Sequence, residues 1–117
     1  MSHTFSKYER LSKRNDIQEL FSKGSSFYLY PFTIKYLAKP ELDYSVVLTS
    51  ASKRNFKRAV DRNFLKRRMR EAYRIHKTTL TQTAHIAFIY NSKKQHDFAF
   101  IEKKLIKVLE QLQETLT

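Results

Sequence analysis

The sequence predicts an α+β fold, a mixed four-stranded sheet with helices packed on it, in the order α-β-β-β-α-β-α. Three observations predict it. The runs "SSFYLYPFTIKYLA" and "YSVVLTS" are aromatic and β-branched, as strands are. The run "AHIAFIY" is continuously apolar, which suits a strand covered on both faces. Three further segments place apolar residues at i, i+3 and i+4, the spacing of a helix with one buried side. The length of 117 residues is that of one domain, expected to span 1–117.

Ser12 to Lys23 predicts the first helix, with Asn15 or Asp16 as cap, Gln18 or Glu19 reaching back, and Ile17, Leu20 and Phe21 as its stripe. Gly24, the only glycine, is expected to close it in a left-handed conformation. Pro31 splits the next run into a short edge piece and a strand from Phe32 to Leu37. After the turn "KPELD", Tyr44 to Ser50 is a strand expected to pair with its predecessor as a hairpin. A basic helix follows, then the strand Ala84 to Tyr90. An Asp97 cap opens a closing helix with Phe98, Ile101, Leu105, Val108, Leu109 and Leu112 on its apolar side.

Charge narrows the function. Lys and Arg number 23 against 11 acids, and the net charge is +12. From Lys53 to Lys77 there are eleven basic residues and only two acids, Asp61 and Glu71. A field concentrated in this way attracts polyanions, nucleic acid first among them; a solubilising face or an anionic membrane surface is the alternative. The absence of cysteine excludes disulfides, thiolate chemistry and Cys-ligated metal sites. No apolar run approaches membrane-spanning length, and "MSHTFSKYER" lacks the core of a secretory signal, so a soluble cytoplasmic protein is expected. His3, His76, His85 and His96 show no metal-ligand spacing, and no carboxylate pair accompanies them. No metal site and no catalytic residue is expected on the protein.

At 100° per residue, Leu65, Met69, Ala72 and His76 fall within about 60° of one another and form a core stripe. Asn63, Lys66, Arg67, Arg70, Arg74 and Lys77 lie opposite, with Arg62 at the margin and Arg68 on the other flank. Carried backward, the phase puts Arg58 on the stripe, so the helix is expected to start near Ala59, with Asp61 in its first turn. Lys53, Arg54, Lys57 and Arg58 then sit on the loop before a helix N-terminus, where arginine forks and free N–H groups suit phosphate. A DNA-reading helix-turn-helix wants a short helix just upstream, where the sequence has a strand. A ribosomal-RNA-binding module remains an alternative. A self-sufficient nuclease wants an acid/base pair that the sequence does not show.

Residues 52 to 71, S-K-(x5)-A-V-x-R-N-x-x-K-R-x-x-R-E, resemble the signature of the bacterial ribonuclease P protein family, marked by a helix of the form R-N-R-x-K-R-x-x-R. "LSKRNDIQELFSKG", "FTIKYL" and the closing apolar helix are similar to that family as well. The resemblance implies a left-handed β-α-β crossover into the basic helix. It also implies a protein that binds one catalytic RNA, as a monomer in a 1:1 ribonucleoprotein, and helps it remove the 5′ leader of precursor tRNA. The chemistry would belong to the RNA and its Mg²⁺ ions, with none bound tightly by the protein.

By position, Arg62, Asn63, Lys66, Arg67 and Arg70 match the motif and are expected on the catalytic RNA, with Lys53 beside them; Arg54, Lys57, Arg58 and Arg74 extend that set. Three departures stand out. Phe64 replaces the motif's second arginine while an extra Arg68 appears. The usual glycine before Ala-Val is missing, and Asn55 is expected to take the left-handed conformation in its place. The leader positions, often aromatic in the family, are Ile17, Phe21 and Lys35 here, which leaves Phe21 as the stacking ring, with Lys35 and a neighbouring tyrosine such as Tyr36.

The helix phase makes a prediction of its own. Met69→Lys puts a charge on the buried stripe and is expected to cost more than about 3 kcal/mol, leaving little cooperative unfolding in a thermal melt. A folded Met69→Lys protein would mean the stripe lies elsewhere.

Overall fold

The computed structural model describes residues 9–117. Helix α1 (Arg14–Lys23) is followed by strands β1 (Ser25–Leu29), β2 (Phe32–Ala38) and β3 (Val46–Ala51). Helix α2 (Ala59–His76), a short 3-10 turn (Lys77–Thr79), strand β4 (Ala84–Tyr90) and helix α3 (Phe98–Leu116) complete the order. The four strands form one mixed sheet in the order β1-β2-β4-β3.

The expected hairpin between the second and third strands is not formed. Instead β2 turns back on β1 through Tyr30 and Pro31, whose peptide bond is cis, with Leu29 paired to Phe32. Strand β4 occupies the place beside β2, antiparallel to it, and β3 runs parallel to β4 on the far side. The reason lies in β4 itself. A strand with Ala84, Ile86, Ala87, Phe88 and Tyr90 all buried has no solvent face, so it takes the position with a strand on each side and helices above and below. Strand β3 is left at the edge, where Leu11 N–H donates to the Val47 carbonyl at 2.8 Å and Arg10 bridges to Val47.

One face of the sheet carries the main core. Phe32, Ile34, Val47, Ile86, Phe88 and Tyr90 meet Leu65, Met69, Ala72 and Tyr73 of α2, and the α3 stripe from Ile101 to Leu112. The other face is covered by α1, whose Leu20 packs with Leu11 and Ala87, flanked by Ile17, Leu37, Val46, Leu48 and Ile89. Helix α3 starts as expected, with Asp97 accepting from Phe100 N–H at 2.9 Å.

Three local expectations are corrected. Helix α1 is capped neither by Asn15 nor by Asp16. It begins at Arg14 after an extended Lys13, and Asp16 lies inside its first turn, where its charge suits the helix dipole. Gly24 is not left-handed but extended, with φ −73° and ψ 157°. Glycine is required there for space: a Cβ would press into the Leu20 carbonyl oxygen and come within 2.9 Å of that of Tyr36. Asn55 is not left-handed either, for none of the described residues has positive φ.

Gly24→Ala therefore tests a backbone contact. It is expected to lower stability by about 1–3 kcal/mol, the range for overpacking, as read by urea denaturation. A neutral result would show that α1 can shift off β2 without loss.

Candidate nucleic-acid interface

The loop before α2 is built from local bonds. Phe56 N–H donates to the Ser52 carbonyl at 3.0 Å and Asn55 N–H to Ser52 Oγ at 3.1 Å. Phe56 is buried against Tyr90, with ring centroids 5.8 Å apart. Arg62 reaches back from the first turn of the helix, its Nη1 donating to the carbonyls of Phe56 at 2.8 Å and Lys57 at 2.9 Å. Lys53, Arg54, Lys57 and Arg58 are thereby held exposed around the helix N-terminus, Arg58 making only a long 3.6 Å approach to Asp61.

Along α2 the expected stripe is buried, with Leu65, Met69 and Ala72 fully inaccessible and Tyr73 joining them. Burial and the nearby acid Glu9 push the Tyr73 hydroxyl pKa well above its ordinary value. His76 ends the stripe at the rim, 2.9 Å from Glu102 of α3. On the opposite side, Asn63 and Arg67 are exposed and Lys66 and Arg70 half-buried. Arg10, Arg67, Arg70, Glu71 and Arg74 line a recess of about 330 Å³. Burial, then the charges of Arg10 and Arg67, hold the Arg70 pKa below the usual guanidinium range. It also makes a long 3.4 Å hydrogen bond to Thr49 Oγ1 of β3.

Two cations on this side have acidic partners. Arg74 is gripped by Glu71, through Nε at 3.1 Å and Nη2 at 2.6 Å. Lys77 is paired with Glu9 at 2.7 Å. Arg10, in turn, was not legible as a site residue. It joins the cluster through the long-range bridge to β3, and nothing local in "YERLSK" signals that.

On the α1 face, Phe21 is 41% exposed with Lys35 Nζ 5.7 Å from its ring centroid, so these two expected residues come together. Tyr36 does not join them. It alternates to the opposite face of β2, tilted against Phe27 at 5.9 Å beside the main core. The tyrosine on the same face as Lys35 is Tyr28, 57% exposed and paired with Thr33, two positions along β2 from Lys35. Period-two counting alone could have found it, had the β1–β2 register been known.

The remaining histidines are His3, His85 and His96. His3 lies outside the described residues. His85 is buried with its Nδ1 unpartnered, and burial pushes its pKa down. His96 stacks on Phe100 at 3.9 Å and shares a 3.0 Å hydrogen bond with the Tyr30 hydroxyl. Among the described residues no three His, Asp or Glu gather as a metal site, and no helix is long and apolar enough to cross a membrane.

Residues 5–113 match the family model described as Ribonuclease P. The ribonuclease P protein component of Porphyromonas gingivalis is 39% identical over 113 residues, covering 89% of this chain and 82% of that protein. That of Thermotoga petrophila is 33% identical over 118 residues, covering 97% and 99%. Among solved structures, the RNase P protein of Staphylococcus aureus superposes with a TM-score of 0.78 at 25% identity, covering 93% of this chain and 98% of that one. The RNase P protein of Thermotoga maritima gives 0.77 at 27%, covering 87% and 96%.

The geometry separates two arginines that the sequence treats alike. Arg62→Ala removes two charge-assisted bonds to carbonyls and is expected to cost about 1.5–3 kcal/mol of stability. Arg67→Ala, at an exposed position, is expected to stay within about 0.5 kcal/mol of wild type. Urea denaturation of both variants decides, and equal stabilities would remove the anchoring role of Arg62.

Proposed function

This chain belongs to the ribonuclease P protein family, and from that premise we propose that it is the protein subunit of ribonuclease P. In this reading it binds the catalytic RNA with the basic face of α2 and the loop before it, and the single-stranded 5′ leader of precursor tRNA with the α1 face of the sheet. The observation that carries the proposal is the sorted set of Lys53, Arg54, Lys57, Lys66 and Arg67, none of which has an acid within ion-pair distance among the described residues. Unneutralised cations held by a packed scaffold gain their counterions only from outside, and phosphates spaced along RNA fit that need.

The division of labour follows from the residues. Lys53, Lys66, Arg67 and Arg70 supply charge without reading sequence; Arg54, Lys57 and Arg58 surround the exposed N–H groups of the α2 N-terminus, where a phosphate is favoured. Asn63 adds an amide between them. Phe21 offers a ring for an unstacked leader base and Lys35 a charge for its phosphate, with Tyr28 beside them. The Mg²⁺ expected of the holoenzyme would take its ligands mainly from RNA, and hydrolysis of the leader bond would belong to the RNA. The subunit would act as a monomer in a 1:1 particle in the cytoplasm. The DNA-reading alternative has less support, because β3, not a short helix, leads into α2.

Reconstitution tests the proposal. Purified protein is mixed with a bacterial ribonuclease P RNA at low Mg²⁺, and 5′ cleavage of a precursor tRNA is followed. Cleavage needing both components is expected, with log affinity falling by about 0.7–0.9 per phosphate neutralised as log salt rises. Arg67→Ala is expected to weaken RNA assembly by about 1–3 kcal/mol, whereas Phe21→Ala weakens binding of precursor but not of mature tRNA. Cleavage by protein alone, or tight RNA binding with no stimulation, would refute the assignment.

A further inference from the structure

The basic helix carries an exposed ring. Phe64 is 37% exposed although it sits among cations, and Val60, one turn earlier, is exposed as well. The Arg68 guanidinium lies over the Phe64 ring, its carbon 3.8 Å from the centroid. With Arg67, Glu71 and Phe98, the first residue of α3, these two side chains line a recess of about 350 Å³. Arg68 Nε is buried there without a hydrogen-bond partner.

Phe64 and Val60 do not serve the core. Leu65 and Met69 already seal α2 to the sheet, and leaving Phe64 and Val60 in water forgoes the gain of burying them. Flattening an arginine on an exposed ring takes a mobile cation out of the field and leaves one donor unsatisfied. What the arrangement does supply is a rigid π surface, faced by a guanidinium on one side, with a second guanidinium at the edge of the recess.

We propose that this recess is a stacking site for one unpaired nucleobase of the RNA that the basic face binds. The inference rests on the RNA-binding reading above and deepens it. The base stacks on Phe64, and Arg67 takes the phosphate beside it, a combination every base can satisfy because every base has a π face. Charge selects this occupant. A second copy of the chain would bring its own segment of eleven basic residues and two acids against the first, and the like charges would repel. An apolar peptide could use Phe64 and Phe98 but would leave Arg67 without a counterion.

The chain has no tryptophan, so Phe64→Trp introduces a single indole at the site. Titration with a bacterial ribonuclease P RNA is expected to quench its emission in step with binding. Phe64→Leu, apolar but ringless, is expected to bind about tenfold more weakly with an unchanged salt slope, the size of one lost base stack. Phe64→Arg is expected to recover affinity with a slope steeper by about 0.7–0.9, because it exchanges a stack for a phosphate contact. Full affinity in Phe64→Leu while Arg67→Ala is weakened would overturn the stacking site and leave the RNA-binding reading standing. RNA bound without quenching in Phe64→Trp would overturn it as well, as would self-association of wild type in sedimentation that Phe64→Leu abolishes. Failure of wild type to bind the RNA would instead remove the underlying reading.

Discussion

Helix α2 holds six Lys or Arg against two acids, and the basic surface exists only because Leu65, Met69, Ala72 and Tyr73 are sealed against the sheet. The magnitudes decide it. Like-charge pairs such as Lys66 with Arg70 cost a few tenths of a kcal/mol each, whereas burying a Leu or Met side chain contributes about 1.5–3 kcal/mol. Two such residues outweigh the repulsion of the whole face. The helix is thus held by its narrow apolar side, and its charges need no internal partners. That is the condition for their being available to a polyanion.

The same constraint orders the sheet. Strand β4 must be covered on both faces, so it separates β2 from β3 and gives α2 and α3 one face and α1 the other. The crossover from β3 through α2 to β4 then fixes which residues stand at the α2 N-terminus. Arg62 completes the arrangement by bonding the Phe56 and Lys57 carbonyls, so that a motif arginine shapes the loop whose cations it accompanies. The cations around the α2 N-terminus and the exposed rings of Phe21 and Tyr28 therefore lie on different faces of one sheet.

What the sequence made legible was local, and what it hid was long-range. The start of α2 near Ala59, its buried stripe, the Asp97 cap and the central character of Ala84 to Tyr90 all follow from periodicity and composition within a few residues. Strand pairing does not. Nothing within "YSVVLTS" states that its partner is the later strand β4 and not the nearby β2, because a hairpin and a crossover use the same alternating pattern. The error about Tyr36 follows from the same gap, since the face of each residue on β2 depends on where β1 and β4 set its register. Gly24 misled for another reason. A glycine after a helix reads as a left-handed cap, while here an extended one lets the Leu20 and Tyr36 carbonyls approach.

Formal charge also overstates what a partner meets. Arg74 and Lys77 are spent on Glu71 and Glu9, and Arg68 is folded over Phe64, so the lower half of α2 is less electropositive than its composition suggests. In the upper half and the preceding loop, Lys53, Arg54, Lys57, Lys66 and Arg67 have no acid within ion-pair distance among the described residues, and Arg10 lines the same side from the edge of the sheet. The field is therefore graded along the helix axis, strongest at the N-terminus where the helix dipole adds to it. A polyanion approaching α2 is drawn first to the Lys53–Arg58 loop and meets Phe64 one turn further on. In the proposed docking, charge would set the orientation before any ring is reached, so a small aromatic surface would suffice.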